Sequence, residues 1–258
     1  MSKRTMSKNQ GHWVLARMGK KVLRPGGKEL TEKLIGRLDI LPTDDIVEFA
    51  PGLGYTAGIA LSRGPKSYTG IEFNEEAALR LRHTLTGRNL RIVIGDAAES
   101  TLEPESADKV YGEAMLTMQA DNKKSAIIRE AHRILRPGGL YGIHELGLVP
   151  DGISTEKKAE IQKDLAKSIR VNARPLSRPE WTELLEQEGF RVLSIDTVPM
   201  LLLEPRRLIE DEGWRRAMKI AFNVMIHPKE RKQITGMREA FRRHRSHMNA
   251  LAVVAQKL

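Results

Sequence analysis

Between residues 45 and 146, short apolar segments alternate with longer segments in which apolar residues recur every three or four positions. The short segments have the length of strands, and the longer ones have the periodicity of amphipathic helices. Strands that alternate with helices form a parallel sheet with right-handed crossover connections. The pattern therefore predicts an α/β fold with helices on both faces of the sheet. The predicted strands are 45–50, 67–73, 90–94, 109–115 and 140–145.

The C-terminal part of the chain predicts two further strands, at 190–198 and 250–255, separated by a mostly helical, Arg-rich insertion. A capping box at Ser177 and Glu180, with a proline between them, begins a helix that ends at Gly189. We divide the chain into three parts. These are a basic N-terminal extension at 1–37, a core at 38–203 and 248–258, and a basic insertion at 204–247.

The net charge of +10 is concentrated in the two flanking parts. Residues 1–37 hold ten Lys and Arg against two Glu, and residues 204–247 hold twelve against six acidic residues, so the remaining chain carries −4. Basic surfaces attract nucleic acids, anionic membranes or anionic small molecules, although such charges are more often solvated helix faces. The absence of cysteine excludes disulfides, thiolate metal sites and cysteine nucleophiles. Without an 18-residue apolar stretch or a signal sequence, we expect a cytoplasmic protein with no transmembrane helix.

A glycine-rich turn follows the first predicted strand and begins a helix. Gly52 and Gly54 permit positive φ angles and let a ligand approach the backbone closely. The pattern Gly52-x-Gly54-x-x-Ala57, with Glu72 further along, also satisfies a dinucleotide fingerprint. However, Glu48 at the end of the preceding strand would repel a pyrophosphate and attract an ammonium or a sulfonium. A nicotinamide-dependent oxidoreductase is therefore a less favoured alternative.

Three acidic residues stand at the ends of three successive predicted strands, and thus at one edge of a parallel sheet. Glu48 suits an ammonium group, Glu72 suits both hydroxyls of a ribose, and Asp96 suits the exocyclic amine of adenine. We expect Phe73 and Ala97 to flank the adenine ring. The set describes a ligand that contains an ammonium, a ribose and an adenine, but no phosphate.

These residues resemble the motifs of class I S-adenosylmethionine-dependent methyltransferases over residues 40–198 and the last strand. The segment 47–54 is similar to the first family motif, 70–73 to the ribose motif and 95–97 to the adenine motif. The segments 136–139 and 175–181 resemble the ubiquinone/menaquinone and sterol methyltransferase-like branch. The resemblance implies a Rossmann-like sheet of seven strands with the last one antiparallel, and S-adenosylmethionine at its carboxyl edge. One departure is Ala50, where the family has the first glycine of the loop.

Methyl transfer from a sulfonium is an in-line displacement that depends mainly on bringing the acceptor to about 3–3.5 Å. A general base is needed only when the acceptor must lose a proton. Glu113, at the end of the fourth strand, is a candidate for a polar group near the donor. His144, at the end of the fifth strand, is a candidate proton acceptor. Loop hydrogen bonding is the alternative role for both residues, and no persuasive metal-binding pattern is present.

The segment 9–28 resembles the N-terminal lid of related enzymes, with Gly26 and Gly27 as a hinge, although a packed helix explains it equally well. Methionines near the fourth strand and in the insertion suggest an apolar acceptor pocket. The candidate acceptor contacts are His12, Trp13, Arg17, Met115 and Met118.

The sequence thus predicts a methyltransferase for a small molecule with an apolar or aromatic body, with or without an anionic group. An enzyme that acts on RNA or the ribosome is one alternative, suggested by the basic charge. The missing Asn-Pro-Pro-Tyr signature and the low aromatic content of 5% disfavour it. A non-catalytic protein that binds S-adenosylmethionine is the other alternative. The acceptor atom and the oligomeric state are left open.

Overall fold

The computed structural model describes residues 10–258, so residues 1–9 of the predicted N-terminal extension lie outside it. The strands are β1 (Asp45–Phe49), β2 (Ser67–Glu72), β3 (Leu90–Ile94), β4 (Ala107–Glu113), β5 (Leu135–Leu148), β6 (Leu176–Ser177), β7 (Phe190–Pro199) and β8 (Met248–Lys257). The α-helices are α1 (Gly11–Arg17), α2 (Gly27–Leu38), α3 (Tyr55–Leu61), α4 (Glu75–Thr84), α5 (Asp121–Ile134), α6 (Thr155–Ile169), α7 (Arg178–Gln187), α8 (Pro205–Glu212), α9 (Trp214–Ile226) and α10 (Pro228–Arg243).

The strands form one sheet in the order β3-β2-β1-β4-β5-β8-β7. The first five strands are parallel, and β8 runs antiparallel to both β5 and β7. This arrangement confirms the predicted Rossmann-like fold with an antiparallel last strand. The sequence analysis did not predict β6, a two-residue strand that pairs with β5 near its end.

Each face of the sheet is covered by its own layer of helices. Consecutive side chains of a strand point to opposite faces, so Val47 and Phe49 pack in the cluster that contains α5 and α7. Ile46 packs in the opposite cluster, with α2, α3 and α4. Glu48 shares the face of Ile46, because the two residues are two positions apart. This placement decides which neighbours Glu48 can reach.

The N-terminal segment and the insertion lie against each other. Glu212, at the end of α8, accepts the backbone N–H groups of Lys21 and Val22 at 2.7 and 2.8 Å. Helix α10 packs against α1 and α6. Asp211 accepts the N–H of Lys28, and a Cβ on Gly27 would lie only 2.3 Å from the Asp211 carboxylate. Gly27 thus allows a close approach between α2 and α8.

Helix α2 crosses the predicted boundary at residue 37 and packs against the sheet, with Leu30, Leu34 and Leu38 fully buried. Within residues 10–258, none of the helices combines the length and the apolar character needed to cross a membrane.

Candidate functional site

A cavity of about 380 Å³ lies at the carboxyl ends of the parallel strands, under the N-terminal segment, α6 and α10. Its volume is within the range of about 300–1,000 Å³ that is usual for small-molecule sites. Two groups of residues line it. The strand-end group is Ala50, Pro51, Gly52, Leu53, Ile71, Glu72, Phe73, Gly95, Asp96, Ala97, Glu113 and Ala114. The second group lies on the side formed by the N-terminal segment, α6 and α10, which we call the cap side. It includes His12, Trp13, Leu165, Ile169, Val171, Met200, Leu202, Met237 and Phe241.

The loop between β1 and α3 has three residues with positive φ angles, Ala50 at 54°, Gly52 at 57° and Gly54 at 77°. Ala50 therefore adopts the left-handed conformation despite its Cβ, and the loop keeps its shape where the family has glycine. A Cβ on Gly52 would meet only the carbonyl oxygen of Ala50, at 3.8 Å. The space beside Gly52 is thus open to a ligand. Gly54 does not line the cavity, because it packs against Leu81 instead.

Glu72 lies at the end of β2 and lines the cavity although it is buried. Its carboxylate accepts the backbone N–H groups of Gly52 and Asn74 at 2.9 and 2.8 Å. Burial raises the pKa of Glu72, and these backbone donors oppose the rise. The contacts fix the carboxylate against the glycine-rich loop, in a position to accept hydroxyl donors from the cavity.

Asp96 follows β3 and also faces the cavity. One of its oxygens accepts the N–H of Ala98 at 2.9 Å, and the other lies 2.6 Å from Nζ of Lys123 on α5. Phe73 and Ala97 line the same region. The residues predicted to hold the adenine therefore line one cavity, together with Lys123, which the sequence analysis did not include.

Glu48 departs from the sequence prediction. Its carboxylate does not line the cavity but accepts the hydroxyl groups of Tyr68 and Tyr111 at 2.6 and 2.9 Å. Burial raises the pKa of Glu48 to about 7, against the opposing effect of the tyrosines. The reason is the register, since Tyr111 is the direct neighbour of Glu48 on β4, and Gly70 on β2 leaves room for the ring of Tyr68.

Glu113, at the end of β4, lines the cavity at the centre of a buried cluster of polar side chains. It accepts hydrogen bonds from Arg24 and Thr56 on one oxygen, and from Thr31 at 2.7 Å on the other. The latter oxygen also lies 2.7 Å from Nδ1 of His144. Burial raises the pKa of Glu113, but the charge of Arg24 and the bond to His144 outweigh it and hold the value at about 2. Glu113 is therefore an ionised and fully engaged carboxylate.

His144 has the hydrogen-bonding role that the sequence analysis gave as the alternative to a proton acceptor. It is completely buried and does not line the cavity. Its Nδ1 faces Glu113 and its Nε2 faces the carbonyl oxygen of Pro25. Both partners are hydrogen-bond acceptors, so neither ring nitrogen offers a lone pair to a substrate hydroxyl. This geometry replaces the predicted proton acceptor with a structural link to the N-terminal segment.

Glu145, the next residue on β5, points to the opposite face and supports one wall of the cavity. Its oxygens accept the N–H groups of Met115, Leu116 and Thr117 at 2.9, 2.7 and 3.0 Å. These bonds hold the 3-10 helix Leu116–Met118 that follows β4. The predicted contacts Met115 and Met118 both line the cavity as a result.

The cap side of the cavity is mostly apolar, with few polar groups. The rings of His12 and Trp13 lie 5.2 Å apart, and both residues line the cavity. Burial lowers the pKa of His12 to about 4. Nε1 of Trp13 is buried without a hydrogen-bond partner. Arg17, in contrast to the prediction, does not line the cavity and lies 3.9 Å from Glu230 on α10.

Arg24 is the cavity residue that the sequence analysis underrated. It belongs to the predicted lid, but its role depends on contacts with Glu113 on β4 and Thr56 on α3. Its guanidinium also lies 5.2 Å from the centre of the Tyr55 ring. The N-terminal segment contains many basic residues, and no sequence pattern distinguishes Arg24 among them as a cavity residue.

Comparison with known proteins gives one family match and several relatives. Residues 46–139 match the profile of a family described as "Methyltransferase domain". An uncharacterised protein of Haemophilus influenzae is 33% identical over 258 residues, covering 98% of this chain and all of the relative. The 27-O-demethylrifamycin SV methyltransferase of Amycolatopsis mediterranei is 27% identical over 173 residues, covering 66% of this chain and 62% of that protein.

Among solved structures, the phosphoethanolamine N-methyltransferase 2 of Haemonchus contortus, in complex with phosphomonomethylethanolamine and S-adenosylhomocysteine, shares the fold. The TM-score is 0.72 at 18% identity, and the similarity covers 99% of this chain and 59% of the other.

Proposed function

The chain belongs to the class I S-adenosylmethionine-dependent methyltransferases, and on this premise we propose that it methylates a small molecule with an apolar body. The observation that supports the proposal is one cavity with the strand-end residues on one side and the mostly apolar cap side on the other. We call the cap-side half of this cavity the apolar chamber. Class I enzymes use S-adenosylmethionine, which supplies an activated methyl group on a sulfonium. The segments 136–139 and 175–181 support a place in the ubiquinone/menaquinone and sterol methyltransferase-like branch as part of this proposal.

The strand-end residues fit this donor. Space is open beside Gly52, and the carboxylates of Glu72 and Asp96 line the cavity after two successive strands. Glu72 would accept the ribose hydroxyls and Asp96 the exocyclic amine of adenine, with Phe73 and Ala97 beside the ring. This chemistry requires no phosphate site, which separates the donor from a dinucleotide.

We assign the methionine end of the donor to Ala50, Glu113 and Arg24. Thr56, which follows the glycine-rich loop, contacts both Arg24 and Glu113, so these two charges lie next to the loop. The Arg24 guanidinium would face the donor carboxylate, and the ionised Glu113 would hold that guanidinium in place. Glu48 is not part of this assignment because its carboxylate is held by two tyrosines.

The acceptor would occupy the cap side of the cavity, against the apolar residues of α6 and α10. Met115 and Met118 would form the wall between the two halves. Trp13 offers an unused N–H group to an oxygen of the acceptor, and the neutral His12 beside it can accept a hydrogen bond. The protein would thus act mainly by positioning and by excluding water.

Isothermal titration calorimetry with S-adenosylhomocysteine tests the donor site. Glu72→Ala and Asp96→Ala each remove charge-assisted hydrogen bonds, so the affinity is expected to fall by about tenfold to a hundredfold. Glu103→Ala is the matched control, since this carboxylate is exposed and lies outside the cavity. Unchanged affinity in both cavity variants would contradict the donor site.

The acceptor half is tested separately, by incubating the protein with radiolabelled S-adenosylmethionine and a panel of apolar small molecules. Label in an organic extract supports the proposal. Label in added RNA or ribosomes, and none in the panel, would contradict the small-molecule acceptor even if the donor site is correct.

A further inference from the structure

Helix α9 presents a stripe of large apolar side chains to the solvent. Trp214, Met218 and Phe222 are 64%, 53% and 56% exposed, and they recur every four residues. Met225 and Ile226 extend the same face and are 58% and 52% exposed. Side chains spaced by three or four residues form one continuous surface of a helix. We call these five residues the α9 stripe.

The other side of α9 is packed against the protein. Ala217 and Ile220 are buried, and Nδ2 of Asn223 donates to the carbonyl oxygen of Met18 at 2.9 Å. Helix α9 therefore already has a face that packs in the protein, and the α9 stripe is a second, exposed apolar face. Monomeric soluble proteins rarely expose large contiguous apolar patches without a binding partner.

Basic side chains accompany the α9 stripe. Arg215 and Lys219 lie on α9 itself, and the first turns of α10 add more cations. The acidic residues nearby are engaged elsewhere, as Glu204 pairs with Arg242 and Glu212 accepts backbone groups of the N-terminal segment. The exposed cations of this surface are Arg215, Lys219, Lys229, Arg231 and Lys232. Within residues 10–258, none of these five side chains forms an ion pair.

A surface that combines Trp, Phe and Met with uncompensated cations is complementary to one kind of partner in particular. Amphipathic helices of this composition lie in the plane of a membrane interface, with the apolar side chains among the acyl chains and the cations at anionic head groups. Nucleic acid would use the cations but would leave the aliphatic part of the α9 stripe exposed. A second copy of this chain would bring the same cations together.

We propose that the α9 stripe and its flanking cations bind the protein to the surface of a bilayer that contains anionic lipids. The position of α9 connects this membrane binding with the cavity. Its buried face contacts Met18 and Gly19, and these residues directly follow α1, which carries the cavity residues His12 and Trp13. Docking through α9 would therefore bring the apolar chamber next to the membrane, and this step rests on the proposed function, in which the acceptor is apolar.

Sedimentation with vesicles tests this inference on the full chain without any donor or acceptor, so it stands apart from the tests of the methyltransferase activity. We expect the protein to sediment with vesicles of equal parts phosphatidylcholine and phosphatidylglycerol, and much less with phosphatidylcholine alone. Binding should weaken in about 0.5 M salt, where exposed charges are strongly screened. Trp214 should report insertion by a blue shift of fluorescence, which Trp214→Phe should remove.

Two sets of variants separate the apolar and the charged contributions. The double variant Trp214→Ser, Phe222→Ser should lower the partition coefficient by at least about tenfold. Lys219→Glu and Lys229→Glu should each lower it by about fivefold or more. Leu193→Ser is the matched control, since Leu193 is 50% exposed on β7, away from α9.

Circular dichroism melting verifies that each variant is folded, which is expected because the altered side chains are exposed. Three results would overturn the inference. One is the absence of binding to either kind of vesicle. Another is unchanged vesicle binding by the double serine variant. The third is a dimer that the double serine variant abolishes, together with no vesicle binding, which would assign the α9 stripe to a second copy of the chain.

Discussion

Oε1 of Glu113 lies 2.7 Å from Nδ1 of His144, and the two residues are direct neighbours across β4 and β5. The other oxygen of Glu113 accepts a hydrogen bond from Arg24, and the other nitrogen of His144 faces the Pro25 carbonyl oxygen. The ends of two central strands are therefore tied to the segment that closes the cavity. The pair belongs to the structure that holds the site together, which is the alternative role that the sequence analysis had left open for both residues.

Replacing Glu113 tests this role. Glu113→Gln leaves the buried Arg24 charge without its partner, so the free energy of unfolding should fall by about 3 kcal/mol. Because the pKa of Glu113 is about 2 in the folded chain, below its ordinary value of 4.5, its stabilisation is complete above pH 4.5 and disappears as the pH falls towards 2. Urea denaturation between pH 7 and pH 3 measures both effects.

The control for this experiment is Glu103→Gln, an exposed carboxylate that should change the unfolding free energy by less than about 0.5 kcal/mol. The acid-dependent loss of stability should be smaller in Glu113→Gln than in the wild type. An unfolding free energy within about 0.5 kcal/mol of the wild type would contradict the structural role of Glu113.

Arg24→Ala should loosen the N-terminal segment without unfolding the sheet. It removes the bonds to Glu113 and Thr56, while Val14, Leu15 and Val22 remain packed. Hydrogen exchange measured by mass spectrometry should show at least about tenfold faster exchange in residues 11–26 than in the wild type. Peptides from β4 and β5 should change less. Equal acceleration in the strands would indicate global destabilisation instead of a local tie.

The sequence predicted the sheet because its signal is local and repeated. Each strand is a short apolar run, and each crossover contains a helical period, so the parallel direction follows from general rules. The antiparallel last strand was implied by the family resemblance. The cavity positions of Glu72 and Asp96 also follow, since both directly end a strand at the carboxyl edge. The short β6 lacks such a signal, as its two residues pair only because β5 extends beyond β4 at this end.

The partners of Glu48 and His144 could not be predicted, because each depends on which residue stands beside it on the next strand. Glu48 adjoins Tyr111 through the register of β1 and β4, and His144 adjoins Glu113 through that of β4 and β5. The register fixes both the face and the partner of each side chain. The N-terminal residues that complete the cluster are far away in the chain, so no local pattern marks them.

Glu48 provides a pH-dependent prediction of opposite sign to that of Glu113. Its pKa is raised to about 7 in the folded chain from 4.5. Its protonated form therefore stabilises the fold below pH 4.5, and this contribution is lost as the pH rises through 7. From the shift, the loss amounts to about 3 kcal/mol. Glu48→Gln stays neutral and can still accept from Tyr68 and Tyr111, so it should be more stable than the wild type at pH 8.

Urea denaturation of both proteins at pH 5 and pH 8 checks this expectation, and calorimetry with S-adenosylhomocysteine adds a second readout. Since Glu48 is outside the cavity, the affinity of Glu48→Gln should stay within about threefold of the wild type. A loss of tenfold or more, with unchanged stability, would restore Glu48 to the donor site that the sequence analysis gave it.

The unpartnered N–H of Trp13 gives a test of the acceptor chamber that does not require the natural acceptor. Prodan, an apolar aromatic ketone, is a suitable probe because its emission shifts to the red when its carbonyl oxygen accepts a hydrogen bond. Trp13→Phe keeps an aromatic ring and removes only the donor. Binding of prodan should weaken by about threefold to tenfold, the effect of one neutral hydrogen bond, and its emission should shift to the blue.

The stability of Trp13→Phe should be equal to that of the wild type or higher, because a buried donor without a partner is removed. Trp214→Phe is the matched control, as the same change on the exposed surface should leave both the affinity and the emission of bound prodan unaltered. If Trp13→Phe behaves like this control, the N–H does not face the ligand. The polar recognition of the acceptor would then rest on His12 and the strand ends alone.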